Sequence, residues 1–86
     1  MELLKLNEEE WDNINAMLSS PDKESVNLGF GLLENIDYTN EEQIKLFEDY
    51  LHLFLSIPST EKASNKIKGK YMHHYFEALE NFNLNK

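Results

Sequence analysis

The run Leu18-Ser19-Ser20-Pro21 closes one helix-periodic stretch and opens another within a single turn of chain. Proline has no N–H to donate and collides with the preceding turn of a helix, yet it suits a helix's first position. Two helices joined this tightly must fold back on each other as an antiparallel hairpin. This constraint fixes the topology of residues 7–36 and casts Ser20 as N-cap, Pro21 at the first helical position, and Asp22 and Glu24 in the first turn.

The helix before the turn has a marked start. Asn7 is its expected N-cap and Glu10 stands at N3, a capping-box pattern, with Glu8 and Glu9 at the positive end of the helix dipole. Leu6 and Trp11 fit the positions of a hydrophobic staple, and Leu3 and Leu4 are an extended or helical lead-in. Trp11, Ile14, Met17 and Leu18 make one apolar stripe, so this helix buries one side. The helix after the turn, Pro21 to about Asn35, carries two stripes: Val26, Phe30 and Leu33 beside Leu28, Leu32 and Ile36. Gly29 and Gly31 each cost roughly 1 kcal/mol relative to alanine inside a helix. Close approach of a neighbouring backbone is the expected compensation. Lying within a helix, the Gly-Phe-Gly run lacks the spacing and flanking strand of a phosphate-binding loop.

A second hairpin is expected over about 40–82. Thr39 as N-cap and Glu42 at N3 open a third helix that reaches about Ser56, with Ile44, Phe47, Leu51 and Phe54 on one stripe and Leu46, Tyr50, Leu53 and Ile57 on another. It is the most apolar helix and belongs at the centre. Pro58 stops it. A fourth helix runs from Ser59 or Thr60 to about Asn81, with Gly69 a candidate kink and its polar first half a candidate for a separate short helix. The fold class is therefore all-α: four to five helices as two antiparallel hairpins in one domain spanning 1–86, packed as a superhelical stack or as a compact four-helix bundle.

Composition narrows the function classes. There is no cysteine, hence neither disulfide nor thiolate chemistry. The amino-terminal residues are too acidic, and their apolar run too short, for a signal peptide. No stretch reaches the roughly 20 apolar residues of a membrane span. The expected address is the cytoplasm. Sixteen acids against eight lysines give a net charge of −8, and arginine is absent. Nucleic acids are read with basic surface and above all with arginine, so direct nucleic-acid binding is disfavoured. The charge is uneven. Residues 1–58 carry thirteen acids and three lysines, residues 59–86 three acids and five lysines.

A shift of 37 residues lays LSSPDKE (18–24) on LSIPSTE (55–61), matching Leu18, Ser19, Pro21 and Glu24 with Leu55, Ser56, Pro58 and Glu61. Apolar positions agree too: Ile14 with Leu51, Met17 with Phe54, Val26 with Ala63, Phe30 with Ile67. The echo fades beyond Ile67, where Leu33 would meet Lys70. Two-helix units with a period near 40 mark HEAT and armadillo-type arrays. An apolar helix, a short turn with Asp22, then Val26 and a small/apolar stripe resemble a HEAT-like repeat, and SVNLGFGLLENI is similar to short helical repeats in bacterial proteins of that broad group. The resemblance covers residues 11–36 and, more loosely, 48–79. It departs from the pattern at Asn27, where arginine is common, and at Phe30, where a small residue is usual. It implies a right-handed superhelical scaffold for protein contacts, with no catalytic residue to carry over.

Chemistry-bearing residues are few. His73 and Glu77 share a helical face and can offer two metal ligands, but there is no HExxH motif, and a third would have to come from a distant residue such as His52. Glu8-Glu9-Glu10 and Glu41-Glu42 lie at helix starts, where capping and dipole effects account for them. The serines fall at helix boundaries without a nucleophile motif. Neither an enzyme nor a cofactor is expected. Lys62, Lys66 and Lys70 recur every fourth residue as a basic ridge, able to meet the acidic half of a second copy or a phosphate-bearing ligand. Trp11, Tyr38 and Tyr50 are the aromatics to test as interface anchors, because Trp and Tyr are favoured there. The resulting expectation is a small non-catalytic module that binds another protein or a second copy of itself. The alternative is an acidic inhibitor, immunity-like or nucleic-acid-mimicking, that blocks a basic enzyme surface.

Overall fold

In the computed structural model, which describes residues 3–56 and 65–84, the helices begin where side-chain oxygens can satisfy otherwise unpaired N–H groups. Helix α1 spans Glu8–Leu18, with the expected capping box: Asn7 Oδ1 accepts from the Glu10 N–H at 2.9 Å, and Glu10 Oε1 accepts from the Asn7 N–H at 3.1 Å. Helix α2 spans Lys23–Glu34 and its cap is Asp22, not Ser20. The reason is local. Ser20 Oγ accepts the Asp22 N–H, which holds Asp22 extended so that its own carboxylate takes the Glu24 N–H. Pro21 therefore precedes the helix. Helix α3 spans Glu41–Leu55 and is capped by Asn40, whose Oδ1 accepts from Glu42 and Gln43. Thr39 is not the cap, because its N–H and hydroxyl both go to Asp37 Oδ1. Helix α4 spans Asn65–Leu84 and runs unbroken through Gly69, so the anticipated kink is absent. Pro58, the turn around it and the onset of the fourth helix at Ser59 or Thr60 lie outside the described residues.

The architecture is all-α, two antiparallel hairpins, α1/α2 and α3/α4, lying side by side. Their neighbours define the stacking. Leu6 meets Gln43, Trp11 meets Phe47, and the Asn15 side chain donates to the Tyr50 carbonyl, so α1 and α3 run parallel at separations of 37 to 35 residues. Phe30 stacks on His74 further along, which places α2 beside α4 in the same parallel sense. The two hairpins therefore pack with α1 beside α3, an arrangement consistent with a compact four-helix unit or with stacked hairpins. The lateral offset of the α1/α3 layer matches the shift that carried the sequence echo. In the α2/α4 layer the separation is wider, 44 residues between Phe30 and His74.

Phe47 is the hub of the core. Its ring lies 5.1 Å from Trp11, 5.2 Å from Tyr71, 5.3 Å from Tyr75 and 5.8 Å from Tyr38. Phe54 abuts Tyr71 edge-on at 5.1 Å. Burial raises the Tyr71 and Tyr38 phenols well above the ordinary tyrosine value. Both hydroxyls are nonetheless paired, Tyr71 with Asn15 Oδ1 at 2.9 Å and Tyr38 with the Leu33 carbonyl. Of the two glycines in α2, only Gly29 answers to close approach. A Cβ there would sit 3.1 Å from Leu18 Cδ2 and 3.2 Å from Met17 Cβ, whereas at Gly31 or Gly69 it would meet nothing within 4 Å.

The lead-in is extended. Leu4 forms an isolated parallel bridge to Ile36, its N–H donating to the Asn35 carbonyl (2.7 Å) and its carbonyl accepting from Asp37 (2.8 Å). Two residues on, the Leu6 N–H donates to Gln43 Oε1 (2.9 Å) and Gln43 Nε2 donates back to the Leu6 carbonyl (2.7 Å). Gln43 is only 3% exposed, yet its amide is satisfied as a strand neighbour would satisfy it. Nothing in the sequence around it marks it as buried.

Candidate functional site

The α2/α4 layer is the more open one, because side chains and not backbones bridge it. Phe30, near the middle of α2, stacks on His74 with ring centroids 5.4 Å apart and divides the layer into two clefts. The larger, about 360 Å³, lies between the start of α2 and the first turns of α4. Val26, Phe30 and Ile67 form its floor, Lys23, Lys66 and Lys70 its rim. Helical spacing explains the convergence: Lys66 and Lys70 are one turn apart on α4, and Lys23 opens α2 on the side of Val26 and Phe30. Lys70 Nζ stands 4.4 Å above the Phe30 ring, so one rim charge is held over the floor by a cation–π contact. None of the three makes an ion pair among the described residues, and no carboxylate lines the cleft.

The smaller cleft, about 220 Å³, lies beyond the Phe30–His74 stack and is lined by Glu34, Tyr38, His74 and Glu77 among others. His74 is half-buried. Its desolvation holds the imidazole below the ordinary histidine value, against the opposing pull of Glu77 and Glu34. His73 Nε2 lies 3.0 Å from Glu77 Oε1 on the exposed side of α4. No group of three or more His, Asp or Glu among the described residues is arranged to hold a metal ion.

A second surface lies across the α1/α3 layer. There Tyr50 donates to the Glu8 carbonyl at 3.0 Å and stacks against Trp11. Partial burial, the adjacent Asp12 carboxylate, and the charges of Glu8 and Asp49 push its phenol above the ordinary value. Leu53, one turn further along α3, is 60% exposed. The patch thus sets an exposed leucine on α3 one turn from a tyrosine that has acids from two helices beside it.

The six residues singled out in the sequence separate cleanly. Lys66 and Lys70 come together in the cleft, and Lys23, which the ridge pattern missed, joins them from another helix. Lys62 lies outside the described residues. Tyr50 stands at the centre of the acidic patch, partly exposed. Tyr38 is half-buried, its hydroxyl turned inward to Leu33. Trp11 is fully buried and corrects the expectation of a surface anchor: its place in the core, with Phe47 and Tyr50 against its ring, leaves it no surface for a partner. Its Nε1 has no hydrogen-bond partner. Spacing within one helix revealed the lysine row. What it could not reveal is that α2 brings a third lysine and two apolar residues to the same place.

Comparisons with protein-family models, with curated proteins and with solved structures find no match to this chain. No helix among the described residues is long and apolar enough to cross a membrane.

Proposed function

We propose that the chain is a small, non-catalytic, cytoplasmic module that binds another protein. The observation that carries this reading is the lysine-rimmed, apolar-floored cleft between α2 and α4. A concave apolar floor, here Val26 and Ile67 partly exposed over the buried Phe30, bounded by charges without ion-pair partners is an ordinary composition for a recognition surface. The HEAT-like reading belongs to the same proposal. Parallel stacking of the two hairpins supports it, since arrays of that kind grow by adding hairpins side by side. The test is affinity capture from the native cell with the wild-type chain and a Lys66→Glu/Lys70→Glu variant. A protein retained by the first and lost by the second is the expected result; identical recoveries count against the cleft.

One observation favours a second reading. Glu8, Asp12 and Asp49 converge around Tyr50 from two helices, and a concentrated acidic surface suits an inhibitor that covers a basic enzyme or a nucleic-acid-binding partner. In that case Asp12→Lys/Asp49→Lys abolishes capture, and the cleft variant leaves it intact.

A further inference from the structure

The two surfaces are complementary to each other. The cleft offers three lysines around an apolar floor with no acid of its own. The opposite layer offers Leu53, 60% exposed, and Tyr50 among Asp12, Asp49 and Glu8. We propose that the α2/α4 cleft receives the α1/α3 knob of a second copy of this chain, Leu53 entering the floor of Val26, Phe30 and Ile67 while Asp49 and Asp12 meet Lys66 and Lys70. This rests on the reading of the chain as a protein-binding module and names its partner.

The occupant follows from charge and size. An anionic partner is favoured, because three like charges are gathered around one apolar floor with no acid among them. The protein supplies such a partner itself, since eight of its acids fall on α1 and α3 or in their first turns, against the single lysine Lys45. The floor is short, with room for one branched side chain and its neighbours. Leu53 is such a side chain, flanked on its own helix by Asp49 one turn earlier. Because cleft and knob are different surfaces, the contact is head-to-tail. Repeated from copy to copy it closes into a ring, two-membered if each cleft takes the other copy's knob, or continues as an open stack.

Sedimentation velocity and light scattering from micromolar to millimolar protein test this in buffers from about 0.05 M to about 1 M salt. The expected result is mass that grows with concentration and falls with salt. Lys66→Glu/Lys70→Glu and, separately, Asp12→Lys/Asp49→Lys each weaken association by about tenfold or more. An equimolar mixture of the two variants restores it, because an acidic cleft then meets a basic knob. Leu53→Glu, at an exposed position that leaves the core untouched, also weakens it. Circular dichroism confirms that each variant is folded.

A wild-type chain that stays monomeric at millimolar concentration and low salt overturns the proposal, as does a mixture that fails to reassociate. These outcomes leave the broader reading intact if the cleft variant still loses a different protein in the capture experiment. A monomer that captures nothing, with either surface intact, overturns both.

Discussion

At the scale of single residues, the glycines separate two causes that look alike in sequence. Gly29 faces Leu18 and Met17 at distances a Cβ cannot take without parting α1 from α2 by a few tenths of an ångström, while Gly31 and Gly69 face open space. Gly31→Ala and Gly69→Ala are therefore expected to stabilise the fold by about 0.5–1 kcal/mol each, the helix-propensity gain alone. Gly29→Ala should forfeit that gain or reverse it, because Met17 Cβ is fixed to its backbone and Leu18 is fully buried. Urea midpoints of the three variants check the order; equal midpoints would remove Gly29 from the hairpin contact. Sequence alone treats the two α2 glycines identically, since they are two positions apart on one helix. Only the side that α1 occupies distinguishes them.

His74 gives a second residue-scale expectation. Its imidazole is held below the ordinary value, mainly by desolvation on burial, with Glu77 and Glu34 opposing and Lys70 and His73 lowering it further. A folded-state value below the unfolded one means that the unfolded chain takes up the proton first. Stability is then intact above about pH 6.5 and declines as pH falls through the folded value. His74→Phe keeps the stack and removes the proton. It should lose less stability than the wild type between about pH 7.5 and about pH 5.5, read as the shift in denaturation midpoint.

At the scale of elements, sequence reading placed the helices well and their first residues less well. Periodicity locates an apolar face, so α1 to α3 lie where the stripes are, and the Asn7–Glu10 box was legible because both partners sit at fixed offsets. The other two caps moved by one or two residues. Ser20 and Thr39 are good caps by type, but each is used by the turn before the helix, and which of several small polar residues wins depends on a loop geometry that type does not encode. Gln43 was invisible for a related reason: a buried amide reads as a surface residue until the strand it clamps is in place. Gln43→Leu leaves the Leu6 N–H and carbonyl unpaired and should cost about 2 kcal/mol. The sharper readout is hydrogen exchange at Leu6, an amide outside any helix that the wild type protects and the variant exposes. An unprotected Leu6 in the wild type would sink the clamp.

At the scale of the whole molecule, the stack of two hairpins depends on one ring. Phe47 touches aromatics from α1, α4 and the α2–α3 connection. Phe47→Ala is expected to cost about 3–5 kcal/mol. Against a total of roughly 4–13 kcal/mol for a chain of 86 residues, that is a large share, read as a marked fall in the midpoint of thermal melting followed by circular dichroism. Phe54→Ala removes a ring of similar burial that meets Tyr71 at the far end of α3 and should fall in the same range. The centrality of α3 was legible because its two stripes cover so much of its circumference. The cleft was not, since it is made by two helices whose separation no local pattern encodes.

The strap of residues 3–7 has a consequence for how the chain comes to be folded. It precedes every group that holds it: the Asn35–Asp37 backbone and the Gln43 amide are made only after α1, the turn and α2. During synthesis the first hairpin can close on local contacts while Leu4 and Leu6 wait with unpaired backbone and no cover for their side chains. A segment made before α1 is fastened only after α2. Leu4 is fastened by the chain that follows α2 and Leu6 by the first turn of α3, so the start of the second hairpin completes the first.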